Sequence, residues 1–235
     1  MSERQIIALG GGGFLMENSG LLDHYVLAAS SAPHPRICFL PTASGDADSA
    51  IVKFYRAFRT RDCTPSHCEL FRRDGELRDA LLGTDVIYVG GGNTANMLAI
   101  WRLHGVDSIL EEAWHAGVVL AGISAGAICW FESGVSDSFG ESLAPFDDCL
   151  GFLPGSHCPH FDGEANRRPR YHQLVASGEL AAGLAADDCA ALHFRGTELA
   201  DVVSSRSGVA AYRVSRDGSV AREEAVSARL LAAAD

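Results

Sequence analysis

The feature that most restricts this chain is a recurrence. Through the first 130 residues, apolar runs of strand length are each followed by a break and then by a segment with helical spacing. Residues 5–9 end in the glycines at 10–13, and residues 21–31 then have helical spacing with Pro33 and Pro35 beyond. The next run, 36–40, closes in Pro41-Thr-Ala-Ser-Gly45 ahead of a helix expected over 49–60. A shorter third strand is expected at 67–71, a short helix at 77–82, and a fourth strand at 85–89 that breaks at Gly90, Gly91 and Gly92. Asn93 or Thr94 can cap the helix that runs to about His104, and another helix over 106–116 precedes a fifth strand at 118–121. Strands that are apolar throughout, rather than alternating, are what burial on both faces requires. The expected fold is therefore α/β, a mostly parallel sheet flanked by helices. Ligands of such sheets bind beyond the carboxyl ends of the strands, where the glycine-rich loops gather.

The fifth strand leads into Gly122-Ile-Ser124-Ala-Gly126, and residues 125–131 read as a helix. A G-x-S-x-G sequence between a buried strand and a helix describes a nucleophile elbow, in which flanking glycines let the backbone turn sharply enough to hold the hydroxyl above the sheet. The pattern by itself is common at strand-to-helix corners. Its context is what points to chemistry.

A serine hydroxyl needs a base, so Ser124 needs a histidine, and that histidine needs an orienting carboxylate. Of the nine histidines, those at 24, 104, 115 and 172 fall within helices or at their ends. His34 and His67 lie at the wrong ends of strands, and His193 sits in a strand-like run. This leaves His157 and His160, in the loop Gly155-Ser-His-Cys-Pro-His-Phe-Asp-Gly163, and the turn signal just after it favours His160. A metal site of His157, His160 and Asp162 is the rival reading, without a further ligand cluster. A second rival comes from Gly90-Gly-Gly-Asn-Thr-Ala95, which satisfies the G-x-G-x-x-A form of a dinucleotide fingerprint. The ribose-binding acid expected about 20 residues on is represented only by Glu111 and Glu112, inside a helix. The loop is better read as a source of N–H groups facing Ser124.

Composition bounds the remaining classes. With 235 residues, 47% of them hydrophobic, the chain can bury a full core as one domain. A net charge of −11 opposes attraction to nucleic acid or anionic membrane. No window approaches the roughly 20 apolar residues of a membrane span. The start, Met1-Ser-Glu-Arg-Gln, lacks the features of a signal peptide, and the seven cysteines are odd in number and never in C-x-x-C spacing. A cytoplasmic protein without metal or cofactor is expected, with a homodimer the one assembly considered.

From Ser133 to Pro169 glycine, serine, aspartate and proline are dense, with only 149–153 resembling a strand. A helix is expected over 171–182, short strands at 189–194, 202–204, 209–214 and 219–223, and a helical or frayed tail from Ala225.

Taken in order, Val89-Gly-Gly-Gly-Asn-Thr94, Gly122-Ile-Ser-Ala-Gly-Ala127 and Pro159-His-Phe-Asp162 resemble the peptidase E family of serine peptidases, which includes aspartyl dipeptidases and, more distantly, cyanophycinases. The resemblance implies a fold like the class I glutamine amidotransferases, a flavodoxin-like three-layer sandwich, and hydrolysis of peptide bonds after an N-terminal aspartate. It makes Ser124 the nucleophile, His160 the base, and the N–H groups of Gly91 and Ala125 the oxyanion hole. It places the third triad member between serine and histidine. Asp137 is the nearest match, with Glu132, Glu141 and Asp162 as alternatives. Asn93 and Thr94, and Arg167 and Arg168 after the histidine, are the expected substrate-binding residues. The block at 162–170 departs from the family pattern and bears on aspartate specificity more than on hydrolysis. A non-catalytic binding module on the same fold would leave Ser124 inert.

Overall fold

A computed structural model describes residues 3–72 and 75–232. Alternation of strand and helix organises the first half. It runs β1 (Gln5–Leu9), α1 (Gly13–Met16), α2 (Leu21–Ala28), β2 (Arg36–Leu40), α3 (Asp48–Phe58), β3 (Thr64–His67) and α4 (Leu77–Leu82). It continues through β4 (Val86–Val89), α5 (Thr94–His104), α6 (Val106–Ala116) and β5 (Val119–Ile123) to the short α7 (Ala125–Ile128). The second half is mostly strand: β6 (Phe131–Ser136), β7 (Ala144–Phe146), β8 (Leu153–Cys158), α8 (Arg167–Ser177), β9 (Gly183–Ala186) and β10 (Ala190–Arg195). It closes with β11 (Glu198–Ser204), β12 (Ala210–Asp217), β13 (Val220–Ser227) and β14 (Arg229–Leu230).

Two sheets result. The larger has the order β14-β11-β10-β1-β5-β4-β2-β3, in which β1, β5, β4, β2 and β3 are mutually parallel and β10 joins β1 antiparallel. Its central strands are buried on both faces. Ile6 and Ala8 of β1 enter one hydrophobic cluster while Ile7 and Leu9 enter the other, which is why the sequence shows no polar alternation there. Trp101 and Trp114 pack on the first face, and Phe14, Phe39, Phe54 and Phe58 on the second.

The smaller sheet, β13-β12-β9-β8-β6-β7, is the main departure from expectation. The helix expected to 131 stops at Ile128, and Phe131 opens β6 instead. The glycine- and serine-rich stretch read as loop holds β6, β7 and β8, while 149–153 is not a strand until Leu153 begins β8. The expected third strand shifts forward to Thr64–His67, and the residues from Ala225 to Leu230 continue β13 and form β14; residues 233–235 of the tail lie outside those described. Small residues hide strands from a hydrophobicity reading because their burial comes from neighbours rather than from their own bulk. Ser156 and His157 of β8 are completely buried, the serine hydroxyl meeting Tyr171 Oη at 2.7 Å. Behind this sheet α8 contributes Tyr171, Leu174 and Val175 to a third cluster with Val135, Cys158, Phe161 and Val214. Among the described residues no helix is long and apolar enough to cross a membrane.

Candidate active site

Parallel strands place their following loops at one edge of a sheet, and the loops after β1, β4, β5, β8 and β9 build the site. Ser124 stands directly after β5 with φ 57° and ψ −115°, a backbone that a residue bearing a Cβ adopts only under constraint. The constraint is visible. Its N–H donates to the Leu9 carbonyl at 3.3 Å, and its carbonyl accepts from the N–H groups of Ala127 and Ile128 at 2.9 Å each. The flanking glycines answer a packing need: a Cβ on Gly122 would run into the Gly126 carbonyl, and one on Gly126 would lie 2.5 Å from the Val89 oxygen of β4. Ile123 and Ala125 are buried while Ser124 is half-buried, so the turn lifts the hydroxyl out of the packed layer.

Gly91, two residues beyond β4, lies against this corner; a Cβ there would sit 3.2 Å from Ser124 Cβ. Its loop is pinned from the other side, where Asn93 N–H donates to the Ala43 carbonyl at 2.8 Å and a Cβ on Gly92, at φ 142°, would run into the same carbonyl. Asn93 caps α5, its Oδ1 accepting from Asn96 N–H at 2.8 Å, and its Nδ2 donates to the Ser138 carbonyl at 2.9 Å. Thr94 is buried in the first turn. Asn93, expected with Thr94 on the substrate, holds the loop that carries Gly91. Glu111 and Glu112, the acids at the spacing a dinucleotide fingerprint expects, lie within α6, and Glu112 is paired with Arg78.

The smaller sheet supplies the other half. β8 and β9 are adjacent and parallel, and two residues beyond the end of each stand His160 and Asp188. His160 Nδ1 lies 2.6 Å from Asp188 Oδ1, with the side chains 11% and 18% exposed. His160 has φ 53°, and its N–H donates to the Gly10 carbonyl at 2.9 Å. Ser124 is held by the Leu9 carbonyl. Successive carbonyls at the end of β1 therefore carry the backbones of both residues. Gly11 comes next, and a Cβ on it would run into Asp188 Oδ1 and approach His160 Nδ1 to 2.9 Å; one on Gly163 would run into Asp188 Oδ2. Cys189, at φ 69°, turns the chain from β9 into β10. Three of the four non-glycine residues with positive φ among those described thus cluster here, as expected where a fold stores strain for function.

The carboxylate that meets His160 is thus Asp188 and not Asp137, which is exposed beyond β6. The alternatives are also placed elsewhere. Glu132 accepts from Gly155 N–H at 2.7 Å, Glu141 lines a groove with Leu143 and Arg170, and Asp162 accepts the Asp188 N–H at 2.7 Å. Asp188 lies 28 residues beyond the histidine, whereas the family resemblance places the carboxylate between the serine and the histidine. The available signal was an acid two residues past a short apolar run, 183–186, matching the offset of His160 from β8.

His157 is not part of this constellation. It is fully buried, stacked on Phe131 with ring centroids 4.7 Å apart, and its Nδ1 is bonded to the Leu184 carbonyl at 2.9 Å. Burial drives its pKa down to about 3, so it is a neutral core residue. Among the described residues no group of three or more His, Cys, Asp or Glu is arranged to hold a metal ion. His193 is likewise a core residue, held between Tyr25 Oη at 2.7 Å and Gln5 Oε1 at 3.0 Å.

The arginines at the start of α8 are also committed. Arg167 is buried, its Nε on Glu164 Oε2 at 2.6 Å and its guanidinium on the Val135 carbonyl at 3.2 Å. Arg168 pairs with Glu223 and lies over the rings of Phe161 and Tyr212, at 5.1 and 4.9 Å from their centroids. Both brace α8 against the smaller sheet, and both guanidinium groups meet partners within the protein.

The model of Peptidase family S51 matches residues 6–202. The protein named Uncharacterized peptidase YgaJ, from Bacillus subtilis (strain 168), is 58% identical over 213 residues, covering 90% of this chain and 92% of its own. Two solved structures share the fold. A Listeria monocytogenes EGD-e protein provisionally named a peptidase E superimposes with a TM-score of 0.62 at 20% identity, over 87% of this chain and 99% of its own. A peptidase from an acI-B1 Actinobacterium gives 0.60 at 16% identity, over 96% and 95%. The structural likeness concerns the fold, and the sequence match decides the lineage: this chain belongs to peptidase family S51 and is a serine-type peptidase.

Proposed function

We propose that Ser124, His160 and Asp188 act as a catalytic triad that hydrolyses short peptides through an acyl-enzyme, dipeptides with an N-terminal aspartate among them. The observation that carries this reading is the 2.6 Å contact of His160 Nδ1 with Asp188, on a histidine anchored one carbonyl away from the Ser124 corner. With Nδ1–H donated to the carboxylate, Nε2 carries the lone pair. His160 Nε2 takes the proton of Ser124 Oγ as the oxygen attacks the scissile carbonyl. The N–H groups of Gly91 and Ala125 meet the oxygen of the tetrahedral intermediate, each such donor being worth roughly 10²–10³ in kcat. The imidazolium returns the proton to the leaving amine, and water then cleaves the acyl-enzyme by the same steps.

Selectivity for an N-terminal aspartate requires a carboxylate to leave water beside a cation or several donors. Arg167 and Arg168 are engaged with Glu164, Val135 and Glu223, so the aspartate preference rests on the family resemblance alone. Steady-state hydrolysis of Asp-Leu, Asn-Leu and Ala-Leu at one ionic strength tests the substrate. Faster cleavage of Asp-Leu supports the aspartyl preference, equal rates leave a broader dipeptidase, and no cleavage of any rejects the dipeptide reading. Intact-mass detection of a phenylmethylsulfonyl adduct on Ser124 tests the nucleophile, and its absence in folded protein would sink the triad.

A further inference from the structure

Asp188 is held by more than His160. Its backbone N–H donates to Asp162 Oδ1 at 2.7 Å, and Arg206 extends from the turn after β11 to Asp162 Oδ2 at 3.0 Å and to the Asp188 carbonyl at 3.5 Å. Asp162 belongs to the same tetrapeptide as the histidine. In His160-Phe-Asp-Gly163, the first residue meets the Asp188 carboxylate, the third its N–H, and the fourth leaves room for its Oδ2. Phe161 pins the segment, its N–H donating to the Ala186 carbonyl at 3.1 Å. One short stretch thus supplies a base and a mould for that base's partner.

We infer that Asp162 and Arg206 are a positioning pair for the proposed triad, setting both the place of Asp188 and the electrostatic balance at His160. The inference rests on the Ser124-His160-Asp188 reading. Asp162 and Arg206 are 34% and 53% exposed, so as an ion pair they add little to stability. Their geometric effect is larger. The junction 187–189 crosses between the sheets with a positive φ at Cys189, and a carboxylate fixed only by its own side chain would drift there. A drift of about 1 Å in a triad member costs up to roughly a hundredfold in rate. Asp162 also puts a second negative charge behind Asp188, which Arg206 offsets. The other charged groups near His160 are Asp187, the residue before Asp188, with Arg168 acting on it, and Glu164, whose N–H donates to the His160 carbonyl at 3.2 Å and whose carboxylate is paired with Arg167, while His157 is neutral.

The two partners therefore act on His160 with opposite sign. Without the Asp162 charge the imidazolium is harder to form, and the acid limb of the pH–rate profile moves to lower pH. Without the Arg206 charge it is easier to form, and the limb moves to higher pH. The test is the rate of Ser124 labelling by phenylmethylsulfonyl fluoride, followed by intact mass from pH 5 to 9, for Asp162→Asn, Arg206→Gln, Arg206→Lys and the Asp162→Asn/Arg206→Gln double variant. The expected result is a plateau lowered roughly tenfold in Asp162→Asn and Arg206→Gln, with midpoints displaced by about half a pH unit in opposite directions. Arg206→Lys restores the wild-type midpoint, and the double variant returns close to it while keeping the slow plateau. Melting temperatures within about 3 °C of wild type show that folding is intact. Wild-type plateaus in both single variants, or midpoints that move together, would overturn the inference. Absence of labelling in the wild type would instead remove the triad reading beneath it.

Discussion

The two ends of the site are built on different principles. On the Ser124 side most of what shapes the corner lies within β4, β5 and the short helix that follows, with one outside hold from the Leu9 carbonyl of β1: a strand, a strained turn, and two glycines whose absent side chains let α7 pack against Val89 and Gly122. On the His160 side nothing is local. The histidine follows β8, its carboxylate follows β9 after an intervening helix, and both are aligned by the end of β1 in the other sheet. A nucleophile corner can be written in five residues. A base and its orienter must be assembled by tertiary structure, and they fail separately from the corner.

The largest effect expected is at the corner itself. Ser124→Ala should lower peptide hydrolysis roughly 10⁴- to 10⁶-fold with the melting temperature nearly unchanged, and His160→Ala should be about as damaging because the pair acts as a unit. Full activity in folded Ser124→Ala would end the serine mechanism. Asp188→Asn should cost about 10⁴-fold in kcat, as loss of the orienting carboxylate does in other triads. Asp137→Asn should stay within about threefold. The reverse pattern would return the orienting role to Asp137 and leave the His160–Asp188 contact without a catalytic meaning.

Two glycine substitutions sharpen the contrast further, because one injures chemistry and the other injures folding. Gly11→Ala places a methyl between Asp188 Oδ1 and His160 Nδ1 at a position whose own backbone tolerates a side chain. It should reduce kcat by about a hundredfold with a small loss of stability. Gly126→Ala pushes a methyl to 2.5 Å from the Val89 carbonyl, so α7 must lift from β4 at a cost of about 1–3 kcal/mol in urea unfolding. If Gly126→Ala unfolds like wild type, the packing account of the G-x-S-x-G glycines is wrong.

The same division explains what could be read from the sequence. Runs such as Val86–Val89 and Val119–Ile123 are apolar because both faces are covered, and their spacing displays the sheet and the serine corner directly. The smaller sheet gives no such signal. β6 reads Phe-Glu-Ser-Gly-Val-Ser and β8 Leu-Pro-Gly-Ser-His-Cys, segments whose small and polar residues are buried by pairing and by α8 rather than by their own hydrophobicity. His160 could still be found from the turn around it. Asp188 offered only the acid two residues past the run 183–186, since its value depends on β8 and β9 being neighbours, a relation between residues 28 apart. Arg167 and Arg168 show the opposite case, because a cluster of cations looks the same in sequence whether it faces a ligand or clamps a helix.

His157 provides the last and smallest test, because it makes the base-bearing half acid-sensitive in a way the serine half is not. Its folded pKa of about 3 lies below its ordinary 6.5, so between those values the unfolded chain binds the proton and the native state does not. The stabilisation is complete above pH 6.5 and is lost as pH falls toward 3, at up to about 1.4 kcal/mol per pH unit. Asp23 acts with the opposite sign. Burial raises it to about 6 from 3.8, so in that window the native state binds the extra proton and gains stability on acidification. The His157 share must therefore be read by difference. Urea unfolding of wild type and His157→Leu at pH 7 and pH 5 should show the variant losing about 1–2 kcal/mol less than wild type over that interval. Amide exchange should show the same asymmetry in space, with β8 and β9 losing protection at pH 5 before β4 and β5. Equal pH slopes in the two proteins would mean that His157 is protonated in the native state, and the dry stacking against Phe131 would have to be abandoned.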